Sequence, residues 1–85
     1  MGQATEIYSA EFDKGLERLP PQVRTRILQR IRDLGRRLES HTHERLQGRE
    51  EFKLRVGDYR VIYEFDISSN EVYLITLGHR REIYR

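Results

Sequence analysis

The stretch Phe52 to Tyr63, FKLRVGDYRVIY, leaves the chain little choice of structure. Two alternating runs flank the dipeptide Gly57-Asp58, and a two-residue hairpin turn sets the pairing of the strands it joins. Val56 then faces Tyr59, Arg55 faces Arg60, Leu54 faces Val61, Lys53 faces Ile62 and Phe52 faces Tyr63. The apolar set falls on one face. The other face gathers Lys53, Arg55 and Arg60, although like charges opposed across a ladder destabilise it by roughly a few tenths of a kcal/mol. A ligand carrying several negative charges would offset that repulsion.

The rest of the chain supplies what such a hairpin needs to bury its apolar face. Glu6-Ile7-Tyr8 reads as a short first strand, and Ser9 can cap a helix with apolar positions Phe12, Leu16 and Leu19 that stops at Pro20-Pro21. Pro21 suits the first position of a second helix, in which Val23, Ile27, Ile31, Leu34 and Leu38 form one stripe. Residues Glu39 to Glu51 carry no period and read as a loop. After the hairpin, Ser68-Ser69-Asn70 makes a turn, and Glu71 to Leu77 forms a strand with Val72, Leu74 and Thr76 on one face and Tyr73, Ile75 and Leu77 on the other. Apolar residues on both faces predict a central strand. The order β, α, α, β, β, β predicts an α+β domain spanning residues 1–85, with both N-terminal helices on one face of an antiparallel sheet.

Eighty-five residues allow one domain with a thin core. There are no cysteines, hence no disulfide framework, thiolate nucleophile or cysteine zinc site. No apolar run approaches the length of about 20 residues needed to span a bilayer, and MGQATEIYS lacks the features of a signal peptide, so the expected location is the cytoplasm. Of sixteen basic residues only Lys14 and Lys53 are lysines. Arginine's planar fork grips phosphate oxygens in pairs, so this bias fits a nucleic-acid partner, as it also fits a chain that is simply arginine-rich. The second helix carries Arg24, Arg26, Arg30, Arg32, Arg36 and Arg37 around its apolar stripe, either as a solvated face or as a phosphate-tracking one. His41 and His43, spaced by one and without further ligands nearby, are a weak metal signal, and no metal or other cofactor is expected.

Cleavage of RNA through its own 2′-hydroxyl needs a base, an acid and cations to hold charge on the phosphorane, and no metal is obligatory. Arg60 and Arg80 supply the cations, with Arg55 and Arg81 as outer members. Candidates for proton transfer are Lys53, crowded by Arg55 and Arg60, His79, of a residue type that titrates near neutrality, and Tyr84, which could instead stack on a base or anchor the tail. There is no Gly-rich phosphate loop and no Ser/His/Asp spacing of note.

The segments FKLRV, GDYRVIYEF and LGHRREIYR, with LPP between the two helices, resemble the RelE/ParE superfamily of small bacterial and archaeal toxins. The resemblance covers nearly the whole chain. It implies the toxin of a type II toxin–antitoxin system, held by a cognate RelB-like antitoxin and meeting operator DNA only as the toxin–antitoxin complex. RelE-like members enter the ribosomal A site and cleave the mRNA there without a metal, whereas ParE-like members share the fold and poison DNA gyrase. By position, Arg60 and Arg80 match the RelE phosphate-binding arginines, Tyr84 the C-terminal tyrosine and Lys53 a lysine of the first hairpin strand. Glu51 and His79 stand where some RelE-like toxins carry lysine. The leading expectation is a ribosome-dependent endoribonuclease, in which Arg30, Arg37 and their neighbours on the second helix meet ribosomal RNA. The alternatives are a gyrase inhibitor and a plain nucleic-acid-binding module.

Arg80→Ala separates a phosphate clamp from a scaffold residue. Loss of one transition-state donor predicts a penalty of roughly 3 to 4 kcal/mol in the cleavage barrier, against under about 1 kcal/mol in unfolding free energy. Single-turnover rates and thermal melts of the same variant measure the two.

Overall fold

The computed structural model of the chain describes residues 2–79, so Arg80, Arg81 and Tyr84 lie outside the described residues. The elements are β1 (Thr5–Tyr8), α1 (Ala10–Glu17), α2 (Pro21–Arg36), β2 (Glu44–Arg45), β3 (Phe52–Val56), β4 (Tyr59–Asp66) and β5 (Glu71–His79). They form one five-stranded sheet in the order β1-β5-β4-β3-β2. The hairpin register holds pair for pair, from Val56↔Tyr59 to Phe52↔Tyr63. Gly57 opens the turn at φ 61°, a left-handed conformation that costs glycine nothing and would strain a residue with a β-carbon.

The domain is α+β, as the element order requires, but the sheet is mixed. β1 lies parallel to β5, with Tyr8 beside Leu74 and Glu6 beside Val72. Parallel neighbours need a long connection, and everything between β1 and β5 serves as one. The run 39–51 also holds β2, whose Glu44 and Arg45 pair with Lys53 and Phe52. Two residues are too few to show a period, so the strand is invisible to alternation.

Both helices cover one face, α1 over β5 and α2 over β3. Phe12, Ile27 and Ile31 are fully buried there against Val61, Tyr63 and Val72. Strict alternation sends Leu77 to the uncovered face, but Leu77 is buried in the core with Val72 and Leu74. A β-bulge causes the difference: Tyr63 pairs with Leu74 and Ile62 with Thr76, so Ile75 is an extra residue and the alternation changes phase after it.

Ser9 ties α1 to that bulge. Its Oγ accepts from the Phe12 N–H at 3.0 Å, capping the helix, and donates to the Ile75 carbonyl at 2.5 Å. At the far end of α2, the Arg32 and Gly35 carbonyls accept from the Gln3 side chain and the Ala4 N–H at 3.0 and 3.1 Å, so strand entry satisfies an orphan carbonyl of the helix C-terminus, that of Gly35.

The segment after α2 closes the core through His43. A backbone carbonyl only accepts, so His43 Nε2–H donates to Leu38 O at 2.7 Å, and in the neutral ring the Tyr63 hydroxyl donates to Nδ1 at 2.6 Å. The imidazole stacks on Phe65 with centroids 3.9 Å apart. Both ring nitrogens are thus engaged within the fold, which is how the structure uses the histidine that the spacing marked as a weak metal ligand. Among the described residues no three potential metal-binding side chains converge.

Ser9→Ala removes the cap and leaves the bulge carbonyl short of a donor. The expected loss is about 2 kcal/mol of unfolding free energy in urea titration, with Ser9→Thr retaining most of it.

Candidate functional site

Among the described residues both helices lie on one face, and the hairpin register sends its charges to the other. Arg55 and Arg60 are paired residues on β3 and β4, and the next strand places Gly78 opposite Arg60. One step along the strands runs a second row, Glu44, Lys53, Ile62 and Thr76, from β2 across to β5. Diagonal neighbours on one face stand about 7–8 Å apart, so Lys53 and Arg60 can reach one phosphate group from two sides. Ile62, only 4% exposed, makes an apolar floor between them. Arg55 Nε donates to the Gly57 carbonyl at 3.3 Å, which draws that side chain back over its own turn.

Glu44 is the residue the sequence does not announce. Its Oε2 lies 3.1 Å from Lys53 Nζ, and the carboxylate side chain is 67% exposed against 23% for the lysine. The expected crowd of cations around Lys53 therefore includes an anion, delivered by the two-residue strand β2. A carboxylate open to solvent and oriented by an ammonium is a proton acceptor in the right company. Burial first, and then the Glu44 charge, push the Tyr63 hydroxyl above the ordinary phenol range, so it stays a donor.

The expected basic cluster divides between two faces. Lys53, Arg55 and Arg60 come together on the uncovered face, but His79 pairs with Tyr59 and turns to the helix side, where the two rings meet at 5.7 Å and 79°. There His79 helps line a cleft of about 310 Å³ with Gly15, Arg18, Leu19, Tyr59, Leu77 and Gly78. Consecutive strand residues point to opposite faces, so His79 and the neighbour of Arg60 cannot share a face once Gly78 is opposite Arg60. Arg30 and Arg37 are exposed on and just beyond α2, in the layer behind the sheet. Together with burial and the His43 ring they hold His41 below the usual histidine range, burial being the largest cause. Arg26 of α2 approaches the hairpin turn: a β-carbon at Gly57 would lie 3.6 Å from its Nη1.

Residues 7–84 match the model of the ParE toxin of the type II toxin–antitoxin system parDE. The chain belongs to this toxin family, within the RelE/ParE superfamily. No curated protein matches it significantly. Among solved structures, the toxin is similar to the RelBE toxin–antitoxin complex of Mycobacterium tuberculosis, with 25% identity, a TM-score of 0.77, and 96% of this chain and 97% of that one covered. It is likewise similar to the archaeal RelE–RelB complex of Pyrococcus horikoshii, with 25% identity, a TM-score of 0.72 and coverage of 95% and 99%. The isolated E. coli RelE toxin, 19% identical with a TM-score of 0.75 over 95% of this chain and 90% of that one, shares the fold.

Because the Glu44 side chain is largely exposed, Glu44→Gln should change unfolding free energy by under about 1 kcal/mol. A thermal melt of the variant checks this, and a folded variant makes any loss of function attributable to the site.

Proposed function

We propose that this toxin is a ribosome-dependent, metal-independent endoribonuclease that cleaves mRNA in the A site and so stops translation. The observation that carries the reading is the adjacency of two rows on the uncovered face: a carboxylate held by an ammonium, Glu44 and Lys53, beside a pair of arginines, Arg55 and Arg60. In this reading Arg60, with Arg80 from beyond the described residues, clamps the scissile phosphate. Glu44 takes the proton of the 2′-hydroxyl, the 2′-oxygen attacks phosphorus, and the bond to the 5′-oxygen breaks. The leaving oxygen takes a proton from Tyr84, giving a 2′,3′-cyclic phosphate and a 5′-hydroxyl. Arginine forks hold the charge that gathers in the transition state.

In this reading His79 has no part in that transfer, since its ring meets Tyr59 on the helix side of the sheet. The remaining inventory does not by itself align the 2′-hydroxyl with phosphorus. Alignment can supply on the order of 7 kcal/mol or more of a barrier, and a ribosome holding mRNA would provide it. The arginines of α2, Arg30 and Arg37 among them, are available to ribosomal RNA phosphates, which makes the encounter sensitive to salt. Solved relatives of M. tuberculosis and P. horikoshii are complexes with their antitoxins, which supports a RelB-like antitoxin as partner here. No helix among the described residues is long and apolar enough to cross a membrane, in keeping with a cytoplasmic target.

The match to a ParE model favours a second reading, inhibition of DNA gyrase without nuclease activity. One set of assays divides them. The protein is incubated with free mRNA, with the same mRNA on stalled ribosomes, and with gyrase and relaxed plasmid. The nuclease reading expects cleavage on ribosomes, at most trace cleavage of free RNA, and intact supercoiling. Lost supercoiling with intact mRNA establishes the gyrase reading, and equal cleavage in both RNA tubes refutes ribosome dependence.

A further inference from the structure

We infer that His43 is a positioning residue for Glu44, acting through Tyr63 and Leu38; the inference rests on the nuclease reading for its catalytic consequence. β2 pairs with the sheet through Glu44 and Arg45 alone, and such a strand has little of its own to hold it. The residue immediately before it is anchored from three directions. His43 Nε2–H donates to Leu38 O at 2.7 Å, just beyond α2, and Nδ1 meets the Tyr63 hydroxyl of β4 at 2.6 Å. The ring lies flat on Phe65, 3.9 Å between centroids at 22°. On the other flank Arg45 places its guanidinium over the Phe52 ring, 5.1 Å from the centroid.

The chemistry of the three groups sets the direction of each bond. Leu38 O has no proton to give, so Nε2 must carry one. Tyr63 is fully buried and its hydroxyl is pushed above the phenol range, so it remains the donor to Nδ1. The neutral ring is therefore locked in one tautomer and one orientation, and the backbone that leaves it enters β2 at a set height above β3. Glu44 then meets Lys53 at 3.1 Å on the uncovered face while His43 and Arg45 stay on the covered one. His43 touches no substrate. It decides where the carboxylate stands, and misplacement of a reacting group by about 1 Å can cost on the order of a hundredfold in rate.

Three variants test this: His43→Phe, which keeps a ring on Phe65 and removes both hydrogen bonds; Tyr63→Phe, which keeps the core volume and removes one; and the double variant. On ribosome-bound mRNA each single variant should lower the single-turnover rate by roughly tenfold to a hundredfold, with the half-saturating ribosome concentration unchanged, and the double should lose no more than His43→Phe. Nuclear magnetic resonance supplies a readout that needs no RNA: the Glu44 side-chain carboxyl carbon and Lys53 Nζ signals should shift toward those of the Lys53→Met and Glu44→Gln variants, respectively. Wild-type cleavage rates with unshifted Glu44 and Lys53 signals in folded His43→Phe would overturn the inference, as would a rate loss no larger than the melted fraction. Should His43→Phe fail to fold, Tyr63→Phe decides by the same two measurements. If the wild-type protein does not cleave at all, the nuclease reading falls while the resonance shifts still decide whether His43 places Glu44.

Discussion

The two-residue turn at Gly57 is the constraint on which the site depends. Side chains alternate with a period of two along a strand, so a slip of one residue would send Lys53, Arg55 and Arg60 into the helix layer and Leu54, Val56 and Val61 into solvent. Burial of Val56 and Val61, 3% and 0% exposed, penalises that slip heavily, and a left-handed glycine at the first turn position removes the alternatives that a longer loop would allow. Hydrophobic burial on one face thus sets the charge pattern on the other.

That pattern opposes the stability of its own ladder. Arg55 stands across from Arg60, and no acidic residue lies in the hairpin rows between Lys53 and Ile62 or between Arg55 and Arg60. Relief comes from the turn and from outside the hairpin: Arg55 bonds back to the Gly57 carbonyl, and Lys53 gains Glu44 from β2. A face assembled this way keeps a concentration of positive charge over an apolar floor, where a polyanion gains most from binding. The acidic member, Glu44, is at the edge of that field, its carboxylate 3.1 Å from Lys53 Nζ and largely exposed.

The covered face is organised by departures from regularity. The bulge at Ile75 returns Leu77 to the core, and its freed carbonyl is taken up by the hydroxyl that also caps α1. His43 does the same for the end of α2, joining Leu38 to Tyr63 where no regular element could. Each device satisfies a part-buried polar group and at the same time fixes the position of a strand that carries part of the site.

Local sequence determined what local physics can dictate. Period, turn chemistry and capping residues specify the two helices, the hairpin with its register, the interior place of β5 and the shared face of Lys53, Arg55 and Arg60. The family was legible in the same segments, since FKLRV, GDYRVIYEF and LGHRREIYR occur in order along one short chain. Tertiary structure decided the rest. The direction of β1 depends on the path of the whole intervening chain, and the bulge depends on fitting Leu77 into the core. The side of the sheet taken by His79 follows from its partner Tyr59, and the arrival of Glu44 at Lys53 depends on a strand too short to have a period. Alternation propagates only as far as a strand is regular, and a contact between a loop and a sheet is set by the packing of everything between them.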